Sequence, residues 1–166
     1  QFECNPRYRQ LRQYYELLPG VGRIGAMTLV LEGCDLHRFP RPSSLMNYTG
    51  LIPSKEASGG RDPALRITKA GNKYLRLALV GAAKHYRDRR LLYSQKELEQ
   101  LPLGIQSFME RCQTRLHGRY RYLCAKGKHS NKAKVAVARE LCGFLWEMIV
   151  KLNPVLDREI LERKAA

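Results

Sequence analysis

Two stretches of this chain repeat their apolar residues at helical spacing and confine what it can fold into. Leu75, Leu79, Ala82, Ala83 and Tyr86 form one stripe, and Val135, Ala138, Leu141, Cys142, Leu145, Met148 and Ile149 form a longer one. Stripes of this period hide one side of a helix against a core, so a mainly α fold is predicted. At 166 residues the chain is long enough for one core, and residues 1–166 are read as a single domain.

The remaining elements follow from caps and breaks. Residues 8–17 are rich in helix formers, and residues 21–33 carry Ile24, Met27, Thr28 and Leu31 at helical spacing before Gly33. Between them, Pro19 breaks the first helix while Gly20 and Gly22 permit a tight reversal, a helix-hairpin-helix pattern over about 8–33. Ser43 or Ser44 is expected to cap a short helix that stops at Gly50. Residues 51–67 hold two prolines and two glycines without a helical period. They read as an irregular loop or short hairpin carrying Ser58-Gly59-Gly60, followed by a helix capped by Thr68 or Asn72, the unit spanning about 51–90.

A polar connection over 91–103 has the capping-box pair Ser94 and Glu97, which predicts a helical turn at 94–100. Beyond it lies a basic helical region, about 104–152, with one helix over 105–123, a break near Gly127 and a last helix over 132–152. Pro154 ends that helix, and 153–166 form a charged tail whose residues 157–164 can make a detached helix. Tyr14 and Tyr15 are expected in the core or an interface rather than as nucleophiles.

Charge narrows the function. Thirty Lys and Arg face 15 Asp and Glu, a net charge of +15, which favours a polyanionic partner. Residues 54–90 contain ten basic and three acidic side chains, and 111–139 contain nine basic and no acidic ones. The second block interleaves its charge with His117, Tyr120, Tyr122 and His129, a mixture suited to phosphate contact with base stacking. Its Arg119, Arg121 and Lys132 are candidate nucleic-acid contacts.

Other chemistries find less support. Five cysteines without a C-x-x-C pair suggest neither a disulfide framework nor zinc, and free thiols are expected. The four histidines lack metal-site spacing, and no apolar run is long enough for a membrane span, so no metal held by this chain alone and no membrane association are expected. The opening Gln1, in place of Met, is what a fragment would show.

The Pro19–Gly22 turn can aim bare backbone amides at a phosphate, which nominates Gly20 and Gly22; an ordinary tight turn has the same sequence. Ser58 is the sharper candidate. A serine hydroxyl attacks phosphorus only where cations stabilise its alkoxide and the backbone lets the phosphate approach. Gly59 and Gly60 offer approach, and Arg61, Arg66, Lys69 and Lys73 offer charge; all four, with Arg76, are candidate nucleic-acid contacts. By itself, Ser-Gly-Gly is also a common turn.

Gly50-Leu51, Pro53, Ser58-Gly59-Gly60, Ile67-Thr68-Lys69, Gly71-Asn72, Leu75-Arg76 and Leu79 follow one another in an order that, with Pro19–Gly22 and Arg38-Phe39-Pro40 upstream, covers about half the chain. This series resembles the C-terminal transposase domain of the RNA-guided insertion-sequence recombinases, also called bridge-RNA transposases. The resemblance implies a serine recombinase: Ser58 would be the nucleophile and form a phosphoserine intermediate during DNA strand exchange. It further implies DNA and a guide (bridge) RNA as partners, a homo-oligomer on DNA, and a bacterial or archaeal cytoplasmic location near the nucleoid. A divalent metal, by preference Mg, would be bound by an N-terminal RuvC-like domain that is absent from this sequence, and the isolated chain would be inactive. The alternative is a non-catalytic helix-hairpin-helix nucleic-acid-binding module in which Ser58 only shapes a loop.

Overall fold

A computed structural model describes residues 5–33, 35–53, 67–88 and 101–152. Among the described residues the fold is mainly helical, with six α-helices and no strand: α1 Pro6–Glu16, α2 Arg23–Gly33, α3 Pro42–Thr49, α4 Lys73–Ala83, α5 Leu103–Ala125 and α6 Ser130–Glu147. A short 3-10 turn lies at Leu36–Arg38, a second at Lys84–Arg87 continues α4, and a π turn at Met148–Leu152 continues α6. Ser58-Gly59-Gly60, Arg61, Arg66, the expected turn at 94–100 and the charged tail lie outside the described residues.

Helix α6 is the central element and packs on α3, α4 and α5, while α2 lies between α1 and α4. Most of its predicted stripe supplies the contact: Ala138, Leu141, Cys142 and Leu145 are buried, and Met148 and Ile149 continue the apolar side into the π turn, whereas Val135 is half-buried and Val137, outside the stripe, is buried in its place. Ala133 and Ala138 on that side are small enough for neighbouring backbones to come close. The α4 stripe meets it with Leu75, Leu79, Ala82 and Ala83, and Tyr86 completes it in the next turn. Tyr14 and Tyr15 enter the same core from α1.

The Arg38-Phe39-Pro40 element straps this core to α6. The Trp146 indole N–H donates to the Phe39 carbonyl at 2.8 Å in a buried bond. The rings of Phe39 and Tyr48 lie 5.3 Å apart, and the Arg38 guanidinium stands 4.6 and 4.7 Å from their centroids. A buried indole requires such an acceptor, which ties the residue before Pro40 to the last long helix.

Three local expectations are corrected. Helix α2 buries Ala26, Leu29, Val30 and Gly33, so Ile24 and Leu31, at 83% and 55% exposure, lie on its outer side. The helix is apolar nearly all round, and packing on α1 and α4 selects the side with the smaller residues. Helix α3 starts with Pro42 after Arg41, whose side chain makes no cap bond, so neither Ser43 nor Ser44 is its cap. Proline in the first turn needs no donated hydrogen bond and has the helical φ already. Helix α5 begins at Leu103, two residues before the expected start. Gly127 then breaks the chain with φ of 71°.

Cys112, Cys124 and Cys142 are free thiols. Burial pushes Cys112 and Cys142 up to about 12 from the ordinary 9.0, so both remain protonated and enclosed at neutral pH, where the thiolate is the reactive form. In native buffer at pH 8, iodoacetamide should modify half-buried Cys124 well before Cys112 or Cys142, as read by peptide-resolved mass spectrometry. Equal native rates at the three would contradict this packing.

Candidate nucleic-acid interface

The segment containing Ser58 leaves the described structure at Pro53 and returns at Ile67, and these two residues form an antiparallel bridge. Thr68 N–H donates to Ile52 O at 3.0 Å, and Lys69 N–H donates to Gly50 O at 3.2 Å. Pro53 and Ile67, which flank residues 54–66, therefore lie side by side. This pairing is built where the C-terminus of α3 meets the N-terminus of α4.

The motif residues make this junction. Gly50 ends α3 in the left-handed region with φ of 66° and donates to Met46 and Asn47 carbonyls. Asn72 N–H donates to the Tyr48 carbonyl at 2.8 Å, while its side-chain oxygen caps α4 by accepting from Tyr74 and Leu75 N–H at 2.9 and 3.0 Å. Its amide Nδ2 donates to Glu32 Oε2 at 2.6 Å and thereby ties in the end of α2. Between them Gly71 has φ of 135°, and a Cβ there would run into the Tyr48 carbonyl oxygen. Only glycine fits that combination of dihedral and close approach.

The candidate cations divide at this junction. Arg76 turns inward: its Nη1 donates to Thr49 O at 2.9 Å and Lys69 O at 3.2 Å, joining the end of α3 to the strand of chain before α4. Lys69 itself is exposed and holds an unusual left-handed φ of 54°. Lys73 is exposed too, its ammonium 5.0 Å from the centroid of the Tyr74 ring. Lys69 and Lys73 thus offer charge beside the ends of residues 54–66, whereas Arg76 braces the backbone.

Gly20 and Gly22 lie at the other end of α4. Gly20 has φ of 85°, and a Cβ would come within 2.5 Å of Ala82 O and 3.0 Å of the His85 Cβ. It seats the turn on the end of α4. Gly22 is exposed, with no atom within 4 Å of where a Cβ would stand, and its carbonyl accepts the first helical bond of α2 from Ala26. The two ends are separated by about nine residues of helix, or about 14 Å. One rigid helix therefore connects the turn to the base of residues 54–66.

The acid-free block of sequence is partly neutralised in space. Arg111 Nη2 lies 2.7 Å from Glu147, Arg115 Nε 2.9 Å from Glu140, and Arg119 Nε 3.0 Å from the second oxygen of Glu140. Arg119 Nε makes no aligned hydrogen bond in that approach, so the contact is an ion pair alone. These pairs bind α5 to α6, and neither acid falls inside residues 111–139. Arg121 and Lys132 are exposed, and among the described residues neither has a carboxylate within ion-pair distance. Arg121 borders an open cleft of about 730 Å³ with Arg87, His117 and Tyr122. Glu32, Glu140 and Glu147 had no local signal in the sequence, because each acts on a residue 21 or more positions away or on another helix.

Among the described residues, no group of three or more His, Cys, Asp or Glu could hold a metal ion. These residues do not fit the acidic metal site implied by the resemblance. No helix among them is long and apolar enough to cross a membrane.

The geometry separates cations that brace the fold from cations left exposed to solvent. Arg76→Ala should leave two carbonyls without this partner and lower stability by about 1–3 kcal/mol, the cost of a polar group left unsatisfied, as read by chemical denaturation. Arg121→Ala should leave the unfolding midpoint unchanged but weaken DNA binding and reduce the slope of log K against log salt by about 1. A folded, fully stable Arg76→Ala protein would remove the bracing role. An unchanged salt slope for Arg121→Ala would remove Arg121 from the interface.

Residues 13–98 match the model of the transposase IS116/IS110/IS902 family. A putative transposase, y4qE, of Sinorhizobium fredii is 42% identical over 134 residues, covering 78% of this chain and 34% of the relative. The transposase for insertion sequence element IS1111A of Coxiella burnetii is 25% identical over 139 residues, covering 84% and 33%. The transposase for insertion sequence element IS1328 of Yersinia enterocolitica is 29% identical over 129 residues, covering 78% and 33%. The chain thus spans about a third of the length of these relatives. With more than half of its length matched by the family model, the chain belongs to the IS116/IS110/IS902 transposase family.

Proposed function

We propose that this chain is the DNA-joining domain of an RNA-guided transposase, with Ser58 as its nucleophile. The observation that carries the reading is the junction of α3 and α4, which brings Pro53 and Ile67, the residues flanking 54–66, together in a region that also carries exposed Lys69 and Lys73. A nucleophile must be held within about 0.5 Å of its productive position relative to the phosphate, and flanking residues fixed on two packed helices suit that demand. The family membership supports DNA as substrate.

In this reading the Ser58 Oγ forms a bond to a DNA phosphorus, its proton leaves, and the bond from phosphorus to a sugar oxygen breaks. The departing oxygen gains a proton and becomes a free hydroxyl. A hydroxyl from a second DNA end later attacks the phosphoserine and releases Ser58, so one phosphodiester is exchanged for another. Lys69 and Lys73, with Arg61 and Arg66 from the same stretch of sequence, offset charge at the phosphate. Arg76 and Asn72 hold the base on which that segment stands. A divalent metal and its carboxylates belong to a RuvC-like domain outside this chain. The guide RNA and a homo-oligomeric assembly on DNA complete the proposal.

The open turn at Gly22 favours a second reading, a helix-hairpin-helix module that binds nucleic acid without cutting it. The two readings differ in covalent chemistry. With this domain assembled with its acidic domain, a guide RNA and a divalent metal, Ser58→Ala should abolish the trapped protein–DNA adduct and strand exchange, with nucleic-acid binding within about two-fold of the parent. Ser54→Ala should have little effect. An adduct that survives Ser58→Ala would place the nucleophile elsewhere.

A further inference from the structure

Tyr120 and Tyr122 sit two residues apart near the end of α5 and have opposite surroundings. Tyr120 is 6% exposed and belongs to the core, whereas Tyr122 is 54% exposed. Two steps along a helix turn the side chain by about 200°, so both rings cannot share the core side. A large ring left in water lowers no folding free energy by burial. Its position beside the cleft formed with Arg87, His117 and Arg121 gives it a different use.

The ring stands among cations. Arg119 Cζ lies 5.8 Å and Lys126 Nζ 6.0 Å from its centroid. Arg119 is held by Glu140, while Lys126 is exposed with no carboxylate in range among the described residues and is free to move from the ring toward a phosphate. His117 Nδ1 is 3.1 Å from the Tyr86 carbonyl, a bond that sets its ring in the cleft wall. Asp88 also lines the cleft. Its carboxylate weakens the attraction of that wall, where Arg87 also stands, for a phosphate, and Arg121 and Lys126 are the cations at the end of α5.

We propose that Tyr122 is a stacking platform for an unpaired base of a single-stranded nucleic acid whose flanking phosphates lie on Arg121 and Lys126. An exposed aromatic ring with cations beside it accepts any base. In a duplex the base faces are already covered by their neighbours, so this position selects unpaired strands. The inference rests on the nucleic-acid reading above and adds to it a strand class and a residue.

The test compares binding of the chain to a labelled 12-nucleotide oligo(dT), the matching oligo(U) and a duplex of the same length by fluorescence anisotropy. Tyr122→Ala should weaken both single strands about ten-fold and the duplex less than two-fold, with the melting temperature unchanged. Tyr122→Phe should bind as the parent does, and Tyr122→Leu should lose as much as alanine, because the face and not the bulk is used. The strand with the higher parental affinity names the natural partner as RNA or DNA. A 5-iodouracil strand should crosslink to the tryptic peptide 122–126, identified by mass spectrometry. Equal losses on duplex and single strands, or recovery by leucine, would overturn the platform while leaving nucleic-acid binding in place. Absence of binding to all three probes by the parent chain would overturn the broader reading and the platform together.

Discussion

The hydrogen bond from the Asn72 amide to the Tyr48 carbonyl joins two helix ends that would otherwise hold unsatisfied groups. The last carbonyls of α3 and the first amides of α4 both need partners, and one residue serves each while Glu32 holds its side-chain amide. The close approach depends on Gly71 and is reinforced by Arg76 on the Thr49 and Lys69 carbonyls. Ends of α2, α3 and α4 are thereby fixed at one point. The bridge between Pro53 and Ile67 stands on that point, so its position follows from helix packing.

Charge has two uses in the same molecule. The pairs of Arg111, Arg115 and Arg119 with Glu140 and Glu147 compensate part of the basic block across α5 and α6. Partly exposed pairs of this kind contribute about 0–1 kcal/mol each, so their main consequence is a reduction of repulsion along α5. Arg121, Lys126 and Lys132 remain solvent-facing. The cationic surface is consequently narrower than the run of basic residues in the sequence.

Much of the fold was legible because its signals are local. The Leu75 to Tyr86 stripe, a cap at Thr68 or Asn72, of which the structure uses Asn72, the stop at Gly50 and the break at Gly127 each depend on neighbours within a few residues. The burial side of α2 was not legible, since apolar residues surround that helix and only α1 and α4 distinguish its sides. Arg76 and Arg119 had the composition of nucleic-acid contacts, yet Arg76 meets carbonyls and Arg119 meets Glu140. Ser58, Arg61 and Arg66 lie outside the described residues, so their roles rest on the motif order and on the base beneath them.

The amino-acid sequence by itself determined the helical class, the positions of its principal breaks, the cationic excess and the order of motifs that identifies the family. These depend on residue type and spacing along one chain, where sterics and periodicity act over a turn or two. Tertiary structure alone decided which cations are neutralised, which tyrosine of the pair at 120 and 122 faces water, and that Pro53 and Ile67 meet. Each of those outcomes needs groups far apart in sequence to come within a few ångströms, and that proximity exists only once the helices have packed.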